Sequence, residues 1–233
     1  MARPKVPLIS RQRALEVALE IIDTEGIDSL SIRRLAERLR VNGASLYHHF
    51  QNKDEIVVGA AKLALEGVRT PQAHDEPWRA WILRSARRLR QALREHPDLV
   101  PVMLRRQPLS IGFMQLEATA ALLAEEGVPV GAIAPMLEAL ELAAIGSALH
   151  EARGGDDRAG VDHDAERTPY LSQAFEQRSL SADEIFDRLC GQLVDTVVAT
   201  AAERAAGTPA TRALPPPQRR ARSPQSSSAK ATA

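Results

Sequence analysis

Strand character is what this chain of 233 residues lacks most. Aromatic residues make up only 3% of it, and no stretch alternates apolar and polar residues over a strand's length, which excludes sheet architectures. Cys190 is the only cysteine, so an intrachain disulfide and a paired-cysteine metal site are both excluded, and a reducing cytoplasm is the expected location. A secretory leader is not expected, because residues 1–9 are basic, broken by Pro4 and Pro7, and without an apolar core. The longest apolar run, 132–149, carries Glu138 and Glu141. Two acids there would be costly in hydrocarbon, so a buried helix and no membrane partner are expected. Phosphate-binding glycine loops and Ser-His-Asp arrangements are missing as well. The acids and histidine at Asp156, Asp157, Asp162, His163, Asp164 and Glu166 lack ligand-like spacing in a Gly-containing stretch. They read as a solvated loop, so neither enzyme activity, a metal, nor a cofactor is expected.

Net charge is absent only on average. The 30 Lys/Arg and 30 Asp/Glu are unevenly placed: 11 against 9 in residues 1–70, 14 against 21 in 71–206, and 5 against none in 207–233. A weakly basic head on an acidic body confines any contact with a polyanion to the head, with the tail as a helper or a merely solvated end. The 44% apolar content is ample for a core. Helical spacing recurs almost throughout, predicting an all-α fold. Ser10 can cap a first helix ended by Gly26, and Ser31 a short second one. A third short helix is expected over 44–50 and a fourth over 53–68. Long helices follow from Trp78 to before His96-Pro97, over 109–126 after a shorter one at 99–106, and over 131–153. A short helix near 170–176 and a long one capped by Ser181 complete the chain, the latter with Phe186, Leu189, Cys190, Leu193 and Val197 on one face.

The most informative segment is Ile27 to Glu55, which encodes a short helix, a tight turn and a second short helix between two longer ones. A helix fits a B-DNA major groove, and this arrangement presents its second helix there. Ser45, Tyr47, His48 and His49 offer hydrogen-bonding groups on that helix, while Leu46 and Phe50 point back into the core. Arg33, Arg34 and Arg38 lie on the exposed side of the preceding helix, and Lys53 opens the next, where ammonium and helix terminus can meet a phosphate. Plainer readings stand beside these: Tyr47 as a half-buried core aromatic, the two histidines as solvated surface, Arg38 as part of a solubilising face.

Leu30, Ser31, Arg33, Leu35, Ala36, Leu39, Val41, Ser45, Leu46, Tyr47, His49 and Lys53 together form a spaced pattern that resembles the DNA-binding domain of the tetracycline-repressor (TetR) family. The resemblance implies an N-terminal three-helix helix-turn-helix domain followed by a helical-bundle domain for ligand binding and dimerisation. With the composition of the two ends, the chain then divides into a disordered arm (1–9), the DNA-binding domain (10–52), a connecting helix (53–70), the ligand and dimer domain (71–206) and, on its Pro, Ser and Arg content, a disordered basic tail (207–233). The resemblance also implies that Arg33, Asn42, Gly43, Ala44, Ser45, Tyr47, His48, His49 and Lys53 form the DNA-binding set, with Arg33, Ser45 and His48 facing bases or nearby phosphates and Tyr47, His49 and Lys53 holding the backbone. One position departs from the family: Arg40 stands where the turn usually has Gly, so either Arg40 accepts a left-handed conformation at roughly 1 kcal/mol or Gly43 relaxes the turn.

The likeness continues more weakly through Trp78–Glu151. It implies a double-stranded palindromic operator, a homodimer and a small-molecule effector as partners. At the family's drug- and magnesium-binding positions this chain has Arg69, Met103 and His150, a set that does not suit magnesium. A more apolar or an anion-bearing effector is expected instead. Candidate lining residues are Trp81, Ser85, Leu89, Met103, Phe113, Met114, Met136 and His150, each of which also reads as ordinary core. The 132–149 helix, apolar around most of its circumference, would pair with the last helix and their twofold copies. A helical interaction module or ligand-binding protein without specific operator binding is the alternative function.

Overall fold

The computed structural model describes residues 9–68, 72–73, 75–104, 113–152 and 167–206. The expectations for residues 1–8, 154–166 and 207–233 fall outside these. Among the described residues every regular element is helical: α1 Arg11–Glu25, α2 Ile32–Leu39, α3 Gly43–Leu46, α4 Lys53–Ala64, α5 Trp78–Glu95, α6 Val100–Leu104, α7 Phe113–Glu125, α8 Val130–Ala152, α9 Pro169–Glu176 and α10 Ala182–Ala206.

Side-chain caps mark the starts of the head helices. The Ser10 and Ser31 hydroxyls accept from the Arg13 and Arg34 N–H groups at 3.1 and 3.0 Å. Asn42 and Asn52, which were not anticipated as caps, accept from Ala44 and Glu55 at 3.0 and 2.9 Å. Two helices are shorter than their apolar patterns predict. α3 stops at Leu46, after which the His49 N–H reaches back only three residues, to the Leu46 carbonyl, tightening the chain ahead of the Asn52 cap. α4 stops at Ala64, because Leu65–Val68 close through three-residue turns that include Gly67, a poor helix former.

Between α2 and α3 the conformational burden falls on Arg40, not on Gly43. Arg40 sits at φ 56°, ψ 45° and its N–H reaches the Ala36 and Glu37 carbonyls, ending α2 as a glycine would. Gly43 is instead the first residue of α3. Arg40→Gly should therefore raise stability, by about 0.5–1 kcal/mol after allowing for the freer unfolded chain, or a few degrees in thermal melting. Calorimetry on the purified variant checks this.

Two apolar clusters hold the molecule. The first unites α1–α4, through Ile21, Ile22, Leu35, Leu46 and Phe50, with Leu93, Leu99, Val100, Ile145 and Ala148 of the body. The second joins α5, α7, α8 and α10 around Trp81, Leu123, Met136, Phe186 and Val194. By length and composition α8 could cross a bilayer, but here α5 and α10 pack along it.

α5 and α10 run antiparallel and are registered by ion pairs at Arg79–Asp195, Arg87–Asp187 and Arg90–Asp183. Arg90 also donates to Glu151 of α8 at 2.6 and 2.9 Å, beside Arg94 and Ser147, and its guanidinium lies 4.9 Å from the Phe186 ring centre. Ser181 and Glu184 cap α10 reciprocally. This register turns Phe186, Cys190 and Val194 inward, and burial pushes the Cys190 thiol up to about 11, leaving it a protonated packing group. Leu189, expected on the same face, is 50% exposed, because it lies about 100° round the helix from Cys190. Leu142 of α8 and Ile185 of α10 are also exposed.

Candidate DNA-reading face and ligand cavity

α2 is held against α1 by charge as well as by Leu35. Arg34 donates two hydrogen bonds to Glu25 at 2.9 and 2.7 Å, and Arg38 approaches Glu25 and Glu20 at 3.4 and 3.7 Å. The bond from Arg34 is the main reason the Glu25 carboxyl lies below the usual carboxylate range. Arg34, half-buried, thus clamps the two helices and is not a free member of an exposed basic face, whereas Arg38 stays exposed beside the same carboxylates. Arg33 points the other way, with its side chain 89% exposed and only Glu37 nearby at 3.3 Å.

The outer surface of the turn is an open groove walled by Arg33, Arg40, Gly43, Ala44 and Tyr47, among others. Tyr47 is 62% exposed, so its reading as a half-buried core aromatic does not hold, whereas Leu46 and Phe50 are buried. Asn42, Ser45 and His48 are exposed on the same short segment, while His49 and Lys53 are half-buried. Arg40, which the sequence suggested only as a strained turn position, also lines this groove. The expected set therefore separates into four groove residues, Arg33, Gly43, Ala44 and Tyr47, and neighbours flanking them.

A second concavity, of about 610 Å³, lies between head and body. Trp81, Ser85 and Leu89 of α5 line it as expected. Met136 does not. It is fully buried in the second apolar cluster, because α8 presents Leu137, Leu140 and Glu141 to the cavity instead. His150 is exposed at the last turn of α8, about 13 Å of helix beyond Glu141, and does not line it either. Arg69 and the side chains of Met103, Phe113 and Met114 lie outside the described residues. Lining residues the sequence did not reveal come from α4 (Lys62) and the turn after it (Glu66), from α7 (Leu116, Thr119) and from α1 (Arg11, Gln12). No group of three His, Cys, Asp or Glu among the described residues is placed to hold a metal ion.

A reading groove on one side and a cavity behind it have a counterpart among known proteins. Residues 14–60 match the model for bacterial regulatory proteins of the tetR family. Residues 70–188 match that of the tetracyclin repressor-like C-terminal domain, which alone covers half the chain. The chain belongs to the tetR family.

Tetracycline repressor protein class A from transposon 1721 of Escherichia coli is 29% identical to this tetR-family regulator over 188 residues, covering 78% of this chain and 87% of its own. The apo crystal structure of ActR from Streptomyces coelicolor, 28% identical, superposes with a TM-score of 0.70 over 85% of this chain and 99% of that one. ActR in complex with actinorhodin, also 28% identical, gives 0.67 over 83% and 98%. The tetR-family assignment makes this protein a DNA-binding transcriptional regulator, built as a helix-turn-helix head on a helical ligand-binding body.

Proposed function

We infer that this regulator acts as a repressor by binding alone, without catalysis, in the cytoplasm. It grips a palindromic operator as a homodimer and lets go when a small molecule fills the cavity. One observation carries the reading: a single cavity is walled by α1 and α4 of the head and by α5, α7 and α8 of the body, so an occupant touches the reading unit and its support together. A ligand shifts operator occupancy only by its different affinity for the two head positions, and a shared wall is where such a difference arises.

On the operator, Arg33, Ser45 and His48 meet base edges or the phosphates beside them, and Tyr47, His49 and Lys53 hold the backbone. Asn42, Gly43 and Ala44 bring the chain close to the duplex. Two copies of α3 spaced by about one turn, roughly 34–36 Å, read the two half-sites. The effector that suits the cavity is largely apolar and needs no metal. Leucines, Trp81 and Ile82 dominate the lining, and its described carboxylates are Glu66 and Glu141, with no histidine beside them. ActR bound to actinorhodin is a precedent for such an occupant in a similar fold.

Selection of bound fragments from a random duplex pool tests the reading. Tyr47→Ala should weaken binding to every recovered sequence alike, because it removes a backbone contact. Arg33→Ala should lose roughly 1–3 kcal/mol at one preferred base and relax preference there. Binding that is selective for no sequence, or is unchanged in both variants, defeats the proposal.

A further inference from the structure

α1 borders the cavity at one end and is tethered to the body at the other. Near its C-terminal end, Asp23 meets the His96 ring nitrogen at 2.9 and 3.0 Å. About 18 Å back along the same helix, Arg11 forms part of the cavity wall. Arg11 is also the residue that grips the end of the reading segment. Its Nη2 donates to Glu55 at 2.7 Å, its Nε points at the His49 carbonyl at 3.4 Å, and its guanidinium lies 5.0 Å from the centre of the Phe50 ring. After the Gln51 N–H, Arg11 is the chief influence holding the Glu55 carboxyl below the usual carboxylate range.

These contacts are unequal. The pair with Glu55 is short, while the bond to His49 is at the long edge of hydrogen-bonding range and therefore easily exchanged. A guanidinium has five N–H donors, so an anionic acceptor entering from the cavity finds donors to take and competes for the His49 carbonyl's share. His49 and Phe50 directly follow Tyr47 and His48, so loss of that grip frees the segment that carries the backbone contacts.

We propose that Arg11 is the positioning residue through which a ligand with an anionic group, seated in the cavity, acts on the DNA-reading segment. This rests on the operator-binding reading above and gives its effector a chemical class, an apolar body bearing a carboxylate, sulfonate or ionised phenol. The tether at Asp23–His96 fixes one end of α1, so the effect is delivered at the Arg11 end.

The test uses the full chain, an operator fragment recovered by selection, and two probes with the same aromatic body. 8-Anilinonaphthalene-1-sulfonate carries an anion, and N-phenyl-1-naphthylamine does not. In the wild type the sulfonate should weaken operator binding by about tenfold and the amine by much less. In Arg11→Ala the sulfonate's effect should fall to that of the amine, whatever the variant's own operator affinity, and Arg11→Lys should restore part of it. The ratio with and without probe is decisive, since a merely structural role would lower affinity and leave the ratio intact. Equal effects of the two probes on the wild type, no effect of either, or an undiminished sulfonate effect in Arg11→Ala overturns the inference while operator binding stands. A wild type without operator selectivity removes the underlying reading as well.

Discussion

Arg90→Ala should lower the free energy of unfolding by about 2–3 kcal/mol, enough to drop the melting temperature by roughly 5–10 °C. Arg90 is 5% exposed, and its partner Glu151 has only 10% of its side chain in contact with solvent. Truncating the arginine takes one of two cations from the buried Glu151 carboxylate between α5 and α8, leaving Arg94 and the Ser147 hydroxyl as direct partners. It also removes the cation from the face of Phe186 and the shorter of the two ion pairs on Asp183 at the start of α10, leaving Arg94 at 3.6 Å. The loss comes mainly from the Glu151 charge left with one cation in place of two, because an assembled buried pair adds little over an apolar one. Combining Arg90→Met with Glu151→Leu should accordingly restore most of the stability. Denaturant titration of the single and double variants checks both statements, and equal losses in the two would show that packing of the arginine stem, not the charge, is what matters.

Leu189→Arg should leave the fold intact yet reduce operator affinity by a hundredfold or more. Leu142, Ile185 and Leu189 are 56%, 43% and 50% exposed, on the two long helices whose other faces fill the second apolar cluster. Around Leu142 the α8 surface is built of Pro135, Glu138 and Gly146, mostly small or flat groups that let another helix come near. We propose that this surface meets its twofold copy in the homodimer, where a guanidinium at position 189 would be desolvated. A lone head keeps its phosphate contacts but loses the near-intramolecular binding of the second half-site. Sedimentation should show monomers at micromolar concentration with a wild-type circular dichroism spectrum. A Leu189→Arg protein that still sediments as a dimer would place the interface elsewhere.

The helices were legible in the sequence wherever a cap, a glycine or a proline punctuated an apolar repeat. Ser10, Gly26, Ser31, His96-Pro97 and Ser181 all mark the ends they suggest. Asn52 three residues before Glu55 carried the same signal and was overlooked. Periodicity alone overran the ends of α3 and α4, since apolar residues continue there while the backbone tightens into three-residue turns. The groove was legible through the spacing of the reading segment, except for Arg40, which the sequence offered as a left-handed turn residue and not as part of the groove wall. The cavity was half legible. A helical repeat identifies the inward face of α5, but it does not separate Leu137, which lines a void, from Met136, which is packed solid. Arg11 and Lys62 were invisible because their role follows from which helices meet across the space, information that no single helix contains.

The first apolar cluster joins Ile21, Leu46 and Phe50 to Leu93, Leu99, Val100 and Ile145 without a break. Grafting this head onto a foreign effector domain would therefore cut through a greasy seam and not through a linker. A chimera joined near residue 68 would fold only if the new body supplied matching side chains beneath α1 and α4, and the parent should melt in one cooperative step, with no separate transition for its N-terminal third.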